Sequence, residues 1–522
     1  MANHYSQTEI NTALWAACNS FRNGMDALMC KNYILVMFLL KYMSDVWKDH
    51  QQQFENTYGQ NTQRTRRRLA RERFVIPVIE VVDSRSGAIV NRHNADFYSL
   101  FDLRNASDIG ERVNRVLNAL EEANERKLRG VFREIDFCSQ PHLGRSGERN
   151  RRIRQLLEDM NRPVFDMRPS TIPESAIANI CRFINECFAY ELDKKADGGQ
   201  ISQAAASLVI KLAQPHPGET ICDPVCREGN LLIEAAQKTG SKDIALYGME
   251  LSSSNGDIAR INMYMHGLDF ARIETCNALT SPALVENDHL MKFDVVMGYL
   301  PSTNAEWGQL ETENDIYRRF WRGTLPKSKV EYAMICHMIE TAEEKHGRVV
   351  IVVPHGVLFR GGAEARIRKK LIEENSLIAV IGLPCQIFPA GGLPVAALVF
   401  DRSREKGGAN ENISDVLFID ANQKAAHKAG SEFTESDLIE QIYTTVVERK
   451  VVNNFSYLAS AEEISENKFN LNISRYVNTS SNEDSLELAQ IQKSTMALEK
   501  EIAETRAEIM TAFKKLIDNV EY

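Results

Sequence analysis

The sequence predicts an α/β fold: a mainly parallel, doubly wound sheet covered by helices, preceded by a helical N-terminal domain and followed by a helical, coiled-coil-like C-terminal tail. Three observations carry this expectation. From about residue 200 onward, short β-rich runs alternate with amphipathic stretches, the pattern of strands joined by crossover helices. Before about residue 165 the apolar residues recur at three- and four-residue intervals. Near the end, Leu488, Ile491, Thr495, Leu498, Ile502, Thr505, Ile509, Ala512 and Leu516 keep heptad spacing.

Residues 9 to 50 read as helix, because Leu14, Ala17, Phe21, Met25 and Leu28 fall on one stripe and Ile34–Tyr42 is apolar nearly all round. Further helices are expected at 108–128, 151–161 and 171–189, with Phe74–Val82 and Ser84–Asn94 as short connecting structure. In the second half Ser202–Leu212, Leu231–Lys238, Asp257–Met265, Val330–Glu344 and Ile367–Glu374 read as helices. Thr220–Cys222, Ala245–Met249, Phe293–Met297, Arg348–Val353, Leu377–Leu383 and Ala396–Phe400 read as strands. Residues 403–420, rich in Gly, Asn and charge, read as a surface loop. The expected domains are therefore 1–165, 166–455 and 456–522. Open sheets of this kind bind ligands beyond the C-terminal ends of their strands, which directs attention to the loops after residues 222, 249 and 297.

A chain of 522 residues is too long for one core, and its 43% hydrophobic and 25% charged content is ordinary for a soluble globular protein. The opening MANHYSQTEINTALW has no apolar core behind a basic leader, and Tyr33–Leu40 is too short to span a bilayer. The expectation is a cytoplasmic protein with no membrane contact. Ten cysteines are scattered with no Cys-x-x-Cys pair, and the histidines do not gather, so neither a metal site nor disulfides are expected. A net charge of -9 gives no general pull toward nucleic acid, but phosphate contact depends on local surface. Arg64, Arg66, Arg67, Arg68 and Arg71 are the local candidate, read either as a solvated face or as a phosphate-facing one. The heptad seam of the tail, left in water, is a costly apolar stripe, and a partner subunit is its expected cover.

The stretch Thr220-Ile-Cys-Asp223-Pro224-Val-Cys226-Arg227-Glu228-Gly229-Asn230 has the form of strand, tight turn and helix. Such a turn lets backbone amides and a helix N-terminus approach a ligand. Glu250 then ends the next strand, where a carboxylate accepts hydrogen bonds from a ribose; strand-turn-helix units with a nearby acid are also common without a ligand. Cys226 has no identifiable base beside it to make a nucleophile, and His266, His337 and His355 have no partners at a telling spacing.

Here the chain resembles, over nearly its full length, the modification subunit of type I restriction-modification systems, an N6-adenine DNA methyltransferase family. The matching residues run in family order. They are Leu14-Trp15, Arg22, Met25-Asp26 and Phe38–Asp45 near the start, then Pro217-Gly218-Glu219 leading into Asp223-Pro224. Tyr247–Glu250, Ala259–Gly267, Asn277-Ala-Leu279, Leu383-Pro384 with Phe388, Pro394 and Asn467–Val477 follow. The resemblance implies a Rossmann-like class I methyltransferase sheet, S-adenosylmethionine as methyl donor, and Asp223, Cys226, Gly229, Glu250 and Asn277 around that donor. It also implies double-stranded DNA, a specificity-type subunit, and a restriction subunit or a second modification subunit as partners.

The pattern breaks in three places. The family's Asp-Pro-x-Cys-Gly-x-Gly turn carries Arg227 at its first glycine, and an arginine strains any positive φ there. Gly199–Ala204 lacks the family's aromatic pair and Thr-Pro. After the strand ending at Met297, the family's Asn-Pro-Pro-aromatic loop is replaced by Gly298, Tyr299, Leu300 and Pro301. The resemblance assigns that loop to holding the adenine amino group and stacking on the flipped base. Gly298 has no side chain to accept a hydrogen bond, and Pro301 has no aromatic face. The expectation is a catalytically inactive, methyltransferase-like subunit of a restriction-modification or anti-phage defence complex, with donor binding lost or weak. The alternative is an active, divergent adenine-N6 enzyme that stacks the base on Tyr299. A third reading sets Arg227 against a phosphate in the old donor site, which Asp223 and Glu250 would oppose.

Overall fold

The computed structural model describes residues 5–22, 24–82, 89–195, 201–241, 243–300, 313–384, 394–422 and 434–478, together with Thr495, Ile502 and Thr505. The stretch expected as one helix over 9–50 is two, α1 (Gln7–Arg22) and α2 (Ala27–Tyr58). Gly24 at φ 84 breaks the run, and the Asp26 side chain restarts it by accepting from the Leu28 and Met29 amides. α2 is long and apolar enough to cross a membrane, but most of its apolar stretch is buried inside the protein, so it is a core helix. α3 (Gln63–Leu69) follows, and the region expected as connecting structure forms an antiparallel hairpin, β1 (Val78–Val82) with β2 (Ile89–Asn94). Helices α4 (Phe97–Asp102), α5 (Ile109–Ala123), α6 (Glu125–Leu128), α7 (Gln140–Leu143), α8 (Ser146–Met160) and α9 (Glu174–Lys195) complete the helical part.

The family-like signature Phe38–Asp45 explains itself as internal architecture. Lys41 pairs with Asp45 inside the core, and Asp45 also accepts from the Tyr98 hydroxyl at 2.5 Å and the Met167 amide at 2.8 Å. Ser44 Oγ accepts from the Phe97 amide at 2.9 Å. Buried charge of this kind is tolerable only when paired and fully hydrogen-bonded, which is why the residues come as a set.

After α10 (Gln203–Ala213), strands β3 (Thr220–Asp223), β4 (Ala245–Glu250) and β5 (Arg272–Thr275) alternate with α11 (Asn230–Thr239) and α12 (Ser253–Met265). A small hairpin of β6 (Val285–Glu286) and β7 (His289–Leu290) precedes β8 (Val295–Tyr299), β9 (Arg348–Pro354), β10 (Leu377–Leu383), β11 (Val395–Asp401), β12 (Val416–Asp420) and β13 (Ser456–Ala459). The central sheet has nine strands in the order β13-β12-β10-β11-β9-β8-β3-β4-β5. The run β9-β8-β3-β4-β5 is parallel throughout, as is β10 with β12, while β11 lies antiparallel to both neighbours and β13 antiparallel to β12. The sheet is thus mainly parallel, as expected, with two reversed strands.

One expectation needs correcting. The surface loop 403–420 ends in β12, whose Val416–Ile419 run is buried and paired on both sides. Near the expected boundaries, Ile177, Ile180, Ile184 and Phe188 of α9 share the N-terminal core, and β13 and Leu471–Val477 pack with the sheet. Tyr476 stacks on Phe418 at 3.9 Å, and Leu471 donates its amide to the Leu358 carbonyl at 2.9 Å. The two cores share one helix. α12 turns Ile258, Ile261, Tyr264 and Met265 to the helical core and Ala259 and Met263 to the sheet core.

Candidate functional site

β3 ends in Asp223, 2% exposed, whose Oδ1 accepts from the Val225 amide at 3.0 Å and so sets the turn. The Cys226 amide donates to the Met249 carbonyl at 3.0 Å, fastening the turn to β4. Cys226 itself was expected to face a ligand; its side chain instead packs into the sheet core, and burial pushes its thiol well above the ordinary value. Gly229, at φ 83, opens α11; the left-handed backbone favours glycine there, while a Cβ would only have to displace the flexible end of Met263, 2.6 Å away.

Arg227 adopts φ 50, the left-handed region that favours glycine. Its amide donates to Glu250 Oε2 at 2.9 Å, while the Ser252 amide donates to Oε1 at 2.9 Å. The turn has therefore kept its shape against its sequence. A non-glycine residue held there costs roughly 1–2 kcal/mol, and Arg227→Gly is expected to raise stability by about 1 kcal/mol in urea unfolding. A variant no more stable than the parent would show that the turn is unstrained.

Burial pushes the Asp223 carboxyl up to about 7; the Val225 amide opposes this, nearby Glu250 adds to it, and the Arg227 charge draws it back. Between about pH 4 and pH 7 the folded chain holds a proton at Asp223 that an unfolded chain, with an ordinary value of about 3.9, has released. Stability therefore falls as pH rises across that window and levels off above it. Asp223→Asn is expected to remove roughly 3 kcal/mol of that fall, read by denaturant unfolding at pH 5 and pH 8. A pH profile identical to the parent's would refute the buried, neutral Asp223.

Asn277, after β5, spends its side-chain oxygen on the Leu279 and Thr280 amides at 2.9 and 3.2 Å. Leu251, directly after Glu250, is 71% exposed and gives the strand end an apolar surface that the sequence did not single out. Sequence reasoning also missed Arg319, 1% exposed, which donates to the Ala278 and Leu279 carbonyls at 2.8 and 2.6 Å and forks onto Asp315. His337 lies beside it, its value pushed down to about 3 by burial and then by the Arg319 charge, so it is a neutral core residue.

The loop expected after Met297 is not a loop at its start. β8 continues through Tyr299, pairing Gly298 with Ile351 and Tyr299 with Val352, and the Leu300 amide donates to the Val352 carbonyl at 2.8 Å. Proline has no amide hydrogen, so this last bond cannot form with the family's proline at that position. Tyr299 is 4% exposed and packs in the sheet core. A Cβ on Gly298 would stand 3.3 Å from Met338 Sδ and 3.6 Å from Val225 Cγ2, so this position lies beside the 223–229 turn. Pro301 lies outside the described residues.

Arg64, Arg66, Arg67, Arg68 and Arg71 are exposed on and just after α3, while Thr65 anchors that helix inward. None of the five forms an ion pair with a described residue. Arg73, the last of the run, faces inward to Asp269 at 2.8 Å and the Tyr42 hydroxyl at 2.6 Å.

A mainly parallel sheet whose first strand enters a glycine-opened helix and whose second ends in an acid is the Rossmann-like fold of class I methyltransferases. Comparison with known proteins gives the family. Residues 182–485 match the N-6 DNA Methylase family and residues 10–160 the HsdM N-terminal domain. The type I restriction enzyme MpnII methylase subunit of Mycoplasma pneumoniae is 22% identical over 445 residues, covering 81% of this chain and 79% of that one. The HindI methylase subunit of Haemophilus influenzae is 24% identical over 435 residues, covering 80% and 94%. The crystal structure of a type I restriction-modification methyltransferase subunit from Streptococcus thermophilus superposes with a TM-score of 0.72 at 26% identity, over 91% of this chain and all of that one. The chain belongs to the N-6 DNA methylase family, among the methylase subunits of type I restriction-modification systems.

Proposed function

We propose that this subunit clasps duplex DNA together with a specificity subunit, joined by a restriction subunit or a second modification subunit, and has given up methyl transfer. One observation carries the reading: the segment that should cradle a target adenine has been absorbed into β8, with Gly298 and Tyr299 in the ladder and Leu300 bonded to Val352. No side chain at these three positions offers a strong acceptor to an adenine amine or an open aromatic face. S-adenosylmethionine, when bound to such a fold, supplies an activated methyl group. Of the residues that would hold it, Glu250 still ends β4 ready to accept from a ribose, and Leu251 offers an adenine ring an apolar surface. Arg227 is the misfit, since its cation lies within reach of Asp223, where a cationic donor seeks a carboxylate.

Calorimetric titration with S-adenosylmethionine tests this reading of the donor site. The expected result is no saturable heat at micromolar protein. Saturable binding would restore the reading of a divergent methyltransferase, which the retained backbone of the 223–229 turn favours. Placement of the chain in the cytoplasm belongs to this same proposal. The heptad tail proposed to meet a partner lies outside the described residues apart from Thr495, Ile502 and Thr505, which are helical, with Ile502 53% exposed.

A further inference from the structure

We propose that Lys31, supplied by the helical N-terminal part of the chain, is a positioning residue of the donor turn. α2 is apolar and buried around this point, yet Lys31 and Asn32 sit in it at 0% and 1% exposure. Lys31 Nζ pairs with Glu228, the residue between Arg227 and Gly229, across 197 positions of sequence. A buried lysine is costly unless a carboxylate meets it, so the location of the pair is informative.

Glu228 is held at both ends. Its carboxylate meets Lys31, and its carbonyl accepts from Asn262 Nδ2 of α12 at 2.9 Å. Asn262 Oδ1 in turn accepts from the Cys181 thiol of α9 at 2.9 Å. Burial, with the Glu228 charge adding to it, pushes that thiol up to about 12, so it remains a donor at neutral pH. Asn32 Nδ2 reaches Ser254 Oγ at 3.0 Å, tying α2 to the start of the same helix α12. Adhesion between the two cores does not need this arrangement, because Ile258, Ile261, Tyr264 and Met265 already supply apolar contact. The pair instead grips a residue flanked on both sides by left-handed φ angles, where rotation of Glu228 swings the amides of Arg227 and Gly229.

The inference rests on reading residues 223–250 as the donor site, but its test needs neither donor nor methyl transfer. Hydrogen exchange is followed by mass spectrometry on the full chain, comparing the parent with Lys31→Met and with Lys31→Met/Glu228→Met. The double variant removes both charges and so avoids an unpaired buried carboxylate. The expected result is peptides across 224–234 exchanging about 10-fold faster in the double variant, with peptides across β9 unchanged. Parent-like protection of the turn would overturn the proposal. So would parallel loss of protection in β9, since the pair would then be packing for the whole fold.

Discussion

Duplex DNA containing adenine is expected to take up no methyl label above background when this chain is incubated with S-adenosylmethionine, with or without a specificity subunit. The reason is electrostatic. An adenine amine becomes cationic as it gains a methyl group, and acceptors fixed in advance around it lower that barrier, each worth roughly 10²- to 10³-fold in rate. Gly298 removes a side-chain acceptor, and the Leu300–Val352 bond holds the following backbone in the sheet. Losing that side-chain acceptor is expected to suppress the rate by about 10²- to 10³-fold, and a mispositioned backbone acceptor to lower it further. Gly298→Asn alone is expected to stay at background, and its Cβ requires the flexible Met338, 3.3 Å away, to shift by a few tenths of an ångström. Adding Leu300→Pro removes the bond to Val352 and is expected to cost about 1–3 kcal/mol of stability. Robust incorporation by the parent chain that is lost on changing residues 298–300 would sink the proposal of inactivity.

DNA affinity is expected to lose much of its salt dependence when Arg64, Arg66, Arg67, Arg68 and Arg71 are replaced together by glutamine. Each phosphate neutralised by a cation releases condensed counterions and contributes about 0.9 to the slope of log affinity against log salt. Five contacts would therefore flatten the slope by roughly 4 in the variant. The prediction draws its force from exposure: these side chains stand in solvent without ionic partners among the described residues, whereas Arg73 is consumed by Asp269. The substitutions touch no core contact, so the unfolding midpoint should hardly move. An unchanged slope would assign the run to a solvated face with no phosphate contact.

The sheet was largely legible because strands buried on both faces must be apolar throughout, and Val349–Val353 reads that way directly. β12 escaped because its short apolar run follows a charged, glycine-rich stretch that dominates any window around it. The helix break at Gly24 escaped because the apolar period resumes almost in phase after it. At the site, Asp223, Gly229 and Glu250 announce themselves through local spacing. Lys31 with Glu228 and Arg319 with the 278–279 carbonyls do not, since side chains far apart in sequence leave no period to read. Arg227 divides the two cases. Its identity predicts strain, but only the neighbouring bonds to Glu250 explain why the turn bears that strain and does not relax.

The lengthening of β8 through Tyr299 also bears on how this chain can change over generations. A catalytic loop is normally a liability to its scaffold, kept because fitness depends on it. Here the same residues have joined the ladder, and a bond such as that from Leu300 to Val352 adds about 0.5–1.5 kcal/mol to a fold of modest net stability. On the proposed loss of methyl transfer, reversion must remove that gain before any activity returns to reward it, and partial reversion brings the loss alone. If methyl transfer has been given up as proposed, the step from loop to strand works as a ratchet that makes a lapse of selection lasting.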